Sequence, residues 1–318
     1  MRDMEIYLEK TNQMFKEVCK TIVGKEDIIK KILMAILADG HILMEDIPGV
    51  GKTTMALTFA RVLGIQCNRM QFTPDVMPSD VVGFNMYNRA ANAFEYKKGA
   101  VFCNLFLADE INRTSPKTQS ALLQVMEEGC ATVDSVERAL PEPFIVMATQ
   151  NPYGSIGTQK LPESQLDRFM ISISMGYPTV EEEIAILKGK EQEDRIRSSR
   201  VTDADELRKI KSCVKDIYVA DVIYEYVANI AKASREYKGL IQGISPRGSV
   251  AIVSMAKAAA FMRNNDYVLP QDVQMVIKDA ALHRIVLKHG INTSGKSRED
   301  ALDDIIRSVK VPAIRKRY

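Results

Sequence analysis

Gly49-Val50-Gly51-Lys52-Thr53-Thr54 is the stretch of this 318-residue chain whose residue types and order could do chemistry most directly. Two glycines one residue apart let a backbone curl until successive N–H groups point inward. A helix begun at Lys52 adds its positive end, so an anion is favoured there. Lys52 supplies a cation for β- and γ-phosphates, and Thr53 a hydroxyl suited to Mg²⁺. The full G-x-x-x-x-G-K-[ST] pattern begins with a glycine where this chain has Asp46. That position must therefore take a conformation aspartate tolerates, and aspartate visits left-handed geometry more readily than most residues.

Further along, Leu105-Phe106-Leu107-Ala108-Asp109-Glu110 is an apolar run ending in two carboxylates. A strand of that composition is covered on both faces and delivers its last residues to the carboxyl edge of a sheet, where ligands bind. Asp109 suits the shell of Mg²⁺, and Glu110 suits a base that orients water against a γ-phosphate. Alone, two acids after a strand more often mark a solvated loop; paired with the glycine loop upstream, they read as the second half of a hydrolytic site. A third apolar run delivers Gln150-Asn151-Pro152. The Asn151 amide could fix the attacking water or sense the γ-phosphate, although Asn before Pro standing alone is usually a turn.

These groups need elements to hold them. Strands are expected over 41–45, 104–108, 144–149 and 171–175, and helices over 28–38, 52–63 and 116–128. The last is bounded by Ser115 as N-cap, Pro116 at the first helical position and Gly129 as terminator. Such alternation up to about residue 176 is the pattern of a layered α/β domain with a mostly parallel sheet. Two hairpins are expected to project from it, over 84–97 around Asn88 to Asn92 and over 130–140 around Asp134-Ser135. Beyond Pro178 the strand pattern stops. A charged stretch over 188–200 reads as a solvated helix end and loop, followed by an all-helical domain. Its clearest helix starts at Ser245 and Pro246 and runs through the alanines of 256–260 to Asn264-Asn265; another begins near Pro270.

Composition bounds the alternatives. Apolar residues make up 46% and charged residues 26%, as in a globular protein, and the length suits about two domains. No run approaches the roughly 20 apolar residues of a spanning helix, so no membrane insertion is expected. The first 20 residues mix both charges with apolar residues and fit neither a signal nor a transit peptide, which makes the cytoplasm the expected location. Five scattered cysteines with no C-x-x-C, and three histidines without ligand spacing, argue against a disulfide framework or zinc site. With 43 basic against 41 acidic residues there is no excess for a nucleic-acid coat, although a neutral average can hide a local patch.

The stretches VGKEDIIKKILMAILADGHILMEDIPGVGKTTMA, QFTPDVMPSDVVG, LFLADEINRTSPKTQSALLQVMEEG, PFIVMATQNP, LPESQLDRF and ISPRGS, in that order and spacing, resemble the MoxR group of AAA+ ATPases over most of the chain. That group often lacks the first glycine as well. The resemblance implies an α/β P-loop NTPase (AAA+) core with a parallel sheet over residues 1–176, then a C-terminal all-helical lid domain over 177–318. It implies ATP and Mg²⁺ as ligands, with the loop from Gly49 through Val50, Gly51, Lys52 and Thr53 to Thr54 around the phosphates. Thr53 and Asp109 would be on the metal, and Val23 and Gly24 in the adenine pocket. It makes Asn151 sensor 1 and Arg168 of Leu166-Asp167-Arg168-Phe169 an arginine finger inserted into a neighbouring subunit's site. Arg247 of Ser245-Pro246-Arg247 becomes sensor 2, on the lid. Cations from lid and neighbour would then stabilise charge on the γ-phosphoryl oxygens. Read without the resemblance, Arg168 could instead pair with Asp167 or a strand edge, and Arg247 could solvate the first turn of its helix.

The function so implied is an ATP-driven remodeller or assembly chaperone, a homo-oligomeric ring hexamer acting on protein clients with a von Willebrand A-domain partner. A nucleic-acid-directed motor is the rival. The hairpins discriminate weakly, offering Lys97, Lys98, Arg89 and Arg138 but also Glu95, Glu137 and Asp134. An ATP-gated scaffold without turnover is a third reading, and Glu110 argues against it because a pure binder has no use for that carboxylate.

Overall fold

The computed structural model describes residues 2–46, 49–151, 161–190, 198–288 and 297–313. The chain opens with α1 (Arg2–Thr21) and α2 (Glu26–Leu37), then β1 (Ile42–Glu45), α3 (Lys52–Leu63), β2 (Cys67–Gln71) and the short α4 (Pro78–Val82). The hairpin β3 (Gly83–Asn88) and β4 (Ala93–Lys98) precedes β5 (Leu105–Asp109) and α5 (Pro116–Glu128). A second hairpin, β6 (Cys130–Val133) and β7 (Val136–Ala139), leads to β8 (Ile145–Gln150), α6 (Glu163–Leu166) and β9 (Ile171–Ile173). Then come α7 (Val180–Lys190), α8 (Ala204–Lys215), α9 (Asp221–Glu236), β10 (Leu240–Gln242), α10 (Pro246–Met262), α11 (Pro270–Ala281), β11 (Val286–Leu287) and α12 (Arg298–Ser308).

Five strands form one sheet in the order β2-β5-β8-β1-β9, with every pairing parallel. Burial explains the apolar runs. Ile42, Met44, Leu105, Leu107, Ile145, Met147, Ile171 and Ile173 point to one face, while Leu43, Phe106, Ala108, Val146 and Ala148 point to the other. That period of two buries both faces and requires helices on each side. The four expected strands are present; β2 was not anticipated, because Cys67-Asn68-Arg69-Met70-Gln71 is a half-exposed edge strand with no apolar run. Nor was α1, which buries Met14 and Val18, one turn apart, in the first cluster.

Local chemistry set the other boundaries. Ser115 accepts the Thr118 N–H and Gly129 ends α5 in left-handed geometry. Asp134 and Ser135, both at positive φ, make the tight turn between β6 and β7. The two hairpins are joined by the Asn85 amide donating to Asp134 Oδ2 at 2.6 Å, and the Arg138 guanidinium lies 3.8 Å from the Tyr96 ring centre.

The C-terminal part is helical with one correction: β10 and β11 pair as an antiparallel ribbon, too short for periodicity to register. Ser245 caps α10 by accepting the Gly248 N–H, and Asn264 leaves the helix at positive φ. Leu207, Ile210, Ile223, Ile252, Val273 and Ile277 of these helices share one apolar cluster with α1, α2, α3 and the sheet. The ion pairs Lys31–Asp279, at 3.0 Å, and Lys10–Glu206, at 3.3 Å, add to that contact. Of the charged stretch over 188–200, residues 191–197 lie outside the described residues. Among the described residues no helix is long and apolar enough to cross a membrane.

Candidate active site

β1 ends beside β8 in the middle of the sheet, and the loop after it carries the glycines. Gly49 sits at φ +90° and Gly51 at φ +93°, a region that side-chain-bearing residues avoid, and Gly51 is the N-cap of α3. Thr53 and Thr54 occupy the first turn of α3, so the helix amino end faces the loop. Lys52 is buried and its Nζ donates to the Asp46 carbonyl at 2.8 Å. Burial pushes its ammonium pKa down, opposed by the charges of Asp46, Asp109 and Glu110. Ile47 and Pro48 of the same loop lie outside the described residues.

Asp46 departs from expectation. It is not among the residues at positive φ, so it does not substitute for a glycine by adopting glycine's conformation. Its carboxylate straps the loop to the end of β9 instead: Oδ1 accepts the Ser174 hydroxyl at 2.6 Å and the Gly176 N–H at 3.1 Å, and Oδ2 accepts the Met175 N–H at 2.6 Å. A buried carboxylate with three donors is well satisfied.

Asp109 and Glu110 leave β5 at the same edge. Thr149, fully buried on β8, donates its hydroxyl to Asp109 Oδ1 at 2.7 Å and accepts the Glu110 N–H at 2.9 Å. Arg69 of β2 donates to Asp109 Oδ2 at 2.8 Å. Glu110 sits at φ +56°, a strained setting for a residue with a side chain, and such strain clusters at functional sites. Its Oε2 takes the Gln71 amide at 3.0 Å and Arg113 at 2.7 Å, which turns the carboxylate toward the β2 side of the crevice. Asn112 donates from its side chain to the Asn151 carbonyl at 3.2 Å and so anchors Asn151 just past β8; Pro152 lies outside the described residues. Val23 and Gly24 lie between α1 and α2. Gly24 is at φ +72°, a Cβ there would run into Glu182 of α7, and the next residue, Lys25, pairs with Glu182 at 3.1 Å.

Lys52, Thr53, Asp109, Glu110 and Asn151 are thus together, and Arg168 and Arg247 are elsewhere. Arg168 pairs with Glu127 Oε2 at 3.3 Å, and Arg247 pairs with Glu127 Oε1. Glu127 is near the end of α5, which runs back toward the amino ends of the strands, and both arginines line a cavity of about 250 Å³ with Gly40, His41, Glu127 and Arg284. Gly40 and His41 immediately precede β1, whereas Lys52 follows it. At about 3.3 Å per residue the four residues of β1 alone put roughly 13 Å between the two edges. Arg247, expected as sensor 2, therefore stands at the edge of the sheet opposite its own chain's crevice. The start of α10 is tied to the amino edge, where the Ser245 hydroxyl donates to both Asp167 oxygens at 2.8 and 2.9 Å.

Arg284, buried to 1% exposure, completes this second locus. It donates to Asp167 Oδ1 at 2.7 Å and to the carbonyls of Asp167 at 3.0 Å, Phe169 at 2.6 Å and Met170 at 3.1 Å, pinning the backbone on both sides of Arg168. Sequence reasoning did not single out Arg69, Gln71, Thr149, Glu127 or Arg284. A hydroxyl near the end of an otherwise apolar strand was the one available signal, for Thr149.

Nested glycine loop, carboxylate pair and helical C-terminal part together define a P-loop ATPase of the AAA class. Comparison with known proteins agrees: residues 41–171 match the ATPase family associated with various cellular activities (AAA), and residues 232–305 match the AAA lid domain. The chain is 43% identical to Uncharacterized protein YeaC of Bacillus subtilis over 94% of both chains. It is 36% identical to Chaperone MoxR1 of Mycobacterium tuberculosis over 94% of this chain and 81% of the other. A crystal structure of a "putative ATPase" from Cytophaga hutchinsonii superposes with a TM-score of 0.91 at 34% identity, covering 98% of each chain. The chain belongs to the MoxR family of AAA+ ATPases.

Proposed function

We propose that this chain hydrolyses ATP with Mg²⁺ at a site shared between neighbouring copies in a ring, and uses the cycle to remodel or activate protein complexes as a chaperone. The observation that carries the reading is the division of the polar site residues. Lys52, Asp109, Glu110 and Asn151 stand at the carboxyl edge of the sheet, and the two candidate stabilising cations, Arg168 and Arg247, stand at the amino edge beside Glu127. Neither arginine can serve its own crevice across the sheet, so both serve a neighbour's.

Within the crevice the N–H groups from Gly49 to Thr54 and the α3 amino end wrap the phosphates, Lys52 bridges the terminal ones, and Val23 and Gly24 bound the adenine. The donor set fits a hard cation: the Thr53 hydroxyl and the Asp109 carboxylate, oriented by the Thr149 hydroxyl, are oxygen ligands of the kind Mg²⁺ prefers. When bound, Mg²⁺ supplies charge neutralisation on the β- and γ-oxygens. Glu110, released from Gln71 and Arg113, orients the water and takes its proton; Asn151 fixes that water. Arg168 and Arg247 from the neighbour stabilise the charge developing on the γ-phosphoryl group.

A protein client is favoured over a nucleic acid by the first hairpin, where Phe94 is 73% exposed and Tyr87, Phe84 and Met86 are nearly half exposed, an apolar surface. Two of the hairpin region's cations, Arg138 and Lys98, lie over aromatic rings. A hexameric ring, a von Willebrand A-domain partner and a cytoplasmic location complete the proposal. Its test is capture with Glu110→Gln in ATP, which holds the assembled, loaded state, followed by identification of what co-purifies. ATP-dependent recovery of a defined protein complex supports the reading; ATP-dependent recovery of nucleic acid alone overturns it.

A further inference from the structure

The arrangement around Glu127 resembles a phosphate site already filled. Its two carboxylate oxygens are divided between two arginines from distant parts of the chain, Oε2 to Arg168 and Oε1 to Arg247. Guanidinium groups bind carboxylates and phosphates with the same fork geometry, so an acid there occupies the place that phosphoryl oxygens would take. The rest of the locus is fixed. Arg284 and Ser245 lock Asp167 and the backbone around Arg168, and Ser245 also caps the helix that carries Arg247. Glu127 itself is exposed, with 44% of its side chain open to solvent, so its pairs are weak and exchangeable. A second observation points to an acceptor still to come: Nε of Arg168 is buried and makes no hydrogen bond among the described residues, which leaves donor capacity unused in a position where polar atoms are ordinarily paired. The cavity of about 250 Å³ alongside gives an incoming group room.

We propose that Glu127 is a phosphate surrogate, holding Arg168 and Arg247 side by side in the separate subunit and giving them up to the triphosphate carried by a neighbouring copy. This rests on the reading that the two arginines act across a subunit boundary. A carboxylate left between them would repel the γ-phosphate, so closing the shared site requires exchanging one anion for the other. Assembly and nucleotide occupancy are thereby coupled: only a neighbour with a loaded crevice offers a better anion than Glu127. The contact acts as an autoinhibitory counter-ion.

The near-isosteric Glu127→Gln removes the charge without opening a hole. ATPase rate per subunit, measured against protein concentration, should reach half its plateau at a concentration roughly three to ten times lower than for the unaltered chain, a shift equal to about 0.7–1.4 kcal/mol. Sedimentation in ATP should show assembly shifted the same way, and Glu127→Asp, which keeps the charge, should remain closer to the original. An unchanged midpoint, or one displaced to higher concentration, overturns the proposal; a lower plateau at an unchanged midpoint would make Glu127 a positioning residue for the arginines instead. Arg168→Ala in the same assay separates the two ideas. If that variant keeps full turnover, the shared-site reading has failed; if it is inert while Glu127→Gln leaves the midpoint in place, the surrogate alone has failed.

Discussion

Thr149 donates its hydroxyl to Asp109 at 2.7 Å across the boundary between β8 and β5, and this bond ties the acid proposed for the metal to the strand that leads to Asn151. The same oxygen accepts the Glu110 N–H, so one buried hydroxyl sets the geometry of both acids. Thr149→Val keeps the shape and removes both roles. It should cost about 1–3 kcal/mol of stability, because a buried carboxylate oxygen and a backbone N–H lose a partner. It should also raise the Mg²⁺ concentration needed for half-maximal ATPase. Thermal unfolding and a Mg²⁺ titration check this, and a variant matching the parent in both would remove Thr149 from the site.

Asp46 gives a second expectation, contrary to what the phosphate-loop pattern suggests. Asp46→Gly restores the usual glycine, yet it strips three donors at the end of β9 of their acceptor. The variant should lose about 2–4 kcal/mol and bind ATP no more tightly. Denaturant unfolding and nucleotide titration decide; a variant as stable as the parent would show that the strap does nothing.

Arg168→Ala and Arg247→Ala should each leave nucleotide affinity nearly intact while turnover falls, by about 10³- to 10⁵-fold for an arginine finger. Mixing subunits distinguishes a shared site from a self-contained one. Arg168→Ala retains a sound crevice and Lys52→Ala retains sound arginines, so the mixture should recover part of the activity that neither has alone. Failure of the mixture to recover activity, although mixed rings form, would count against the shared site.

Acid sensitivity should come in part from the histidines. His283 is buried and His41 half-buried, and loss of solvation is the largest cause holding both below the ordinary 6.5; the Arg284 charge depresses His283 further. The unfolded chain therefore binds protons that the folded one refuses. Stability is fully present above pH 6.5 and is lost as pH falls through that value, by up to about 1.4 kcal/mol per pH unit for each histidine. His283→Gln, which keeps a donor for the Phe169 carbonyl, should flatten the decline in melting temperature between pH 7.5 and 5.5; equal slopes would assign the sensitivity elsewhere.

Much of the nucleotide site was legible before folding because its chemistry is local. Gly51, Lys52 and Thr53 are contiguous, Asp109 and Glu110 are neighbours, and both helices beside them carry their own start and stop residues. An apolar strand pattern could be read because both faces are buried, whereas β2 stayed hidden because an edge strand has no such demand. The hairpin of β6 and β7 was visible through the Asp134-Ser135 turn, while the five-residue ribbon of β10 and β11 is too short for any period.

The sequence by itself determined which residues gather as a candidate phosphate site, since a loop of six residues and a pair of acids carry their geometry with them. Only the tertiary structure decided where the arginines stand. Arg247 and Glu127 are 120 residues apart, and their meeting depends on α5 running back along the sheet and on Arg284 and Ser245 fixing Asp167. Contacts of that separation arise from packing, which no local pattern encodes, and here packing placed both cations on the edge opposite the crevice.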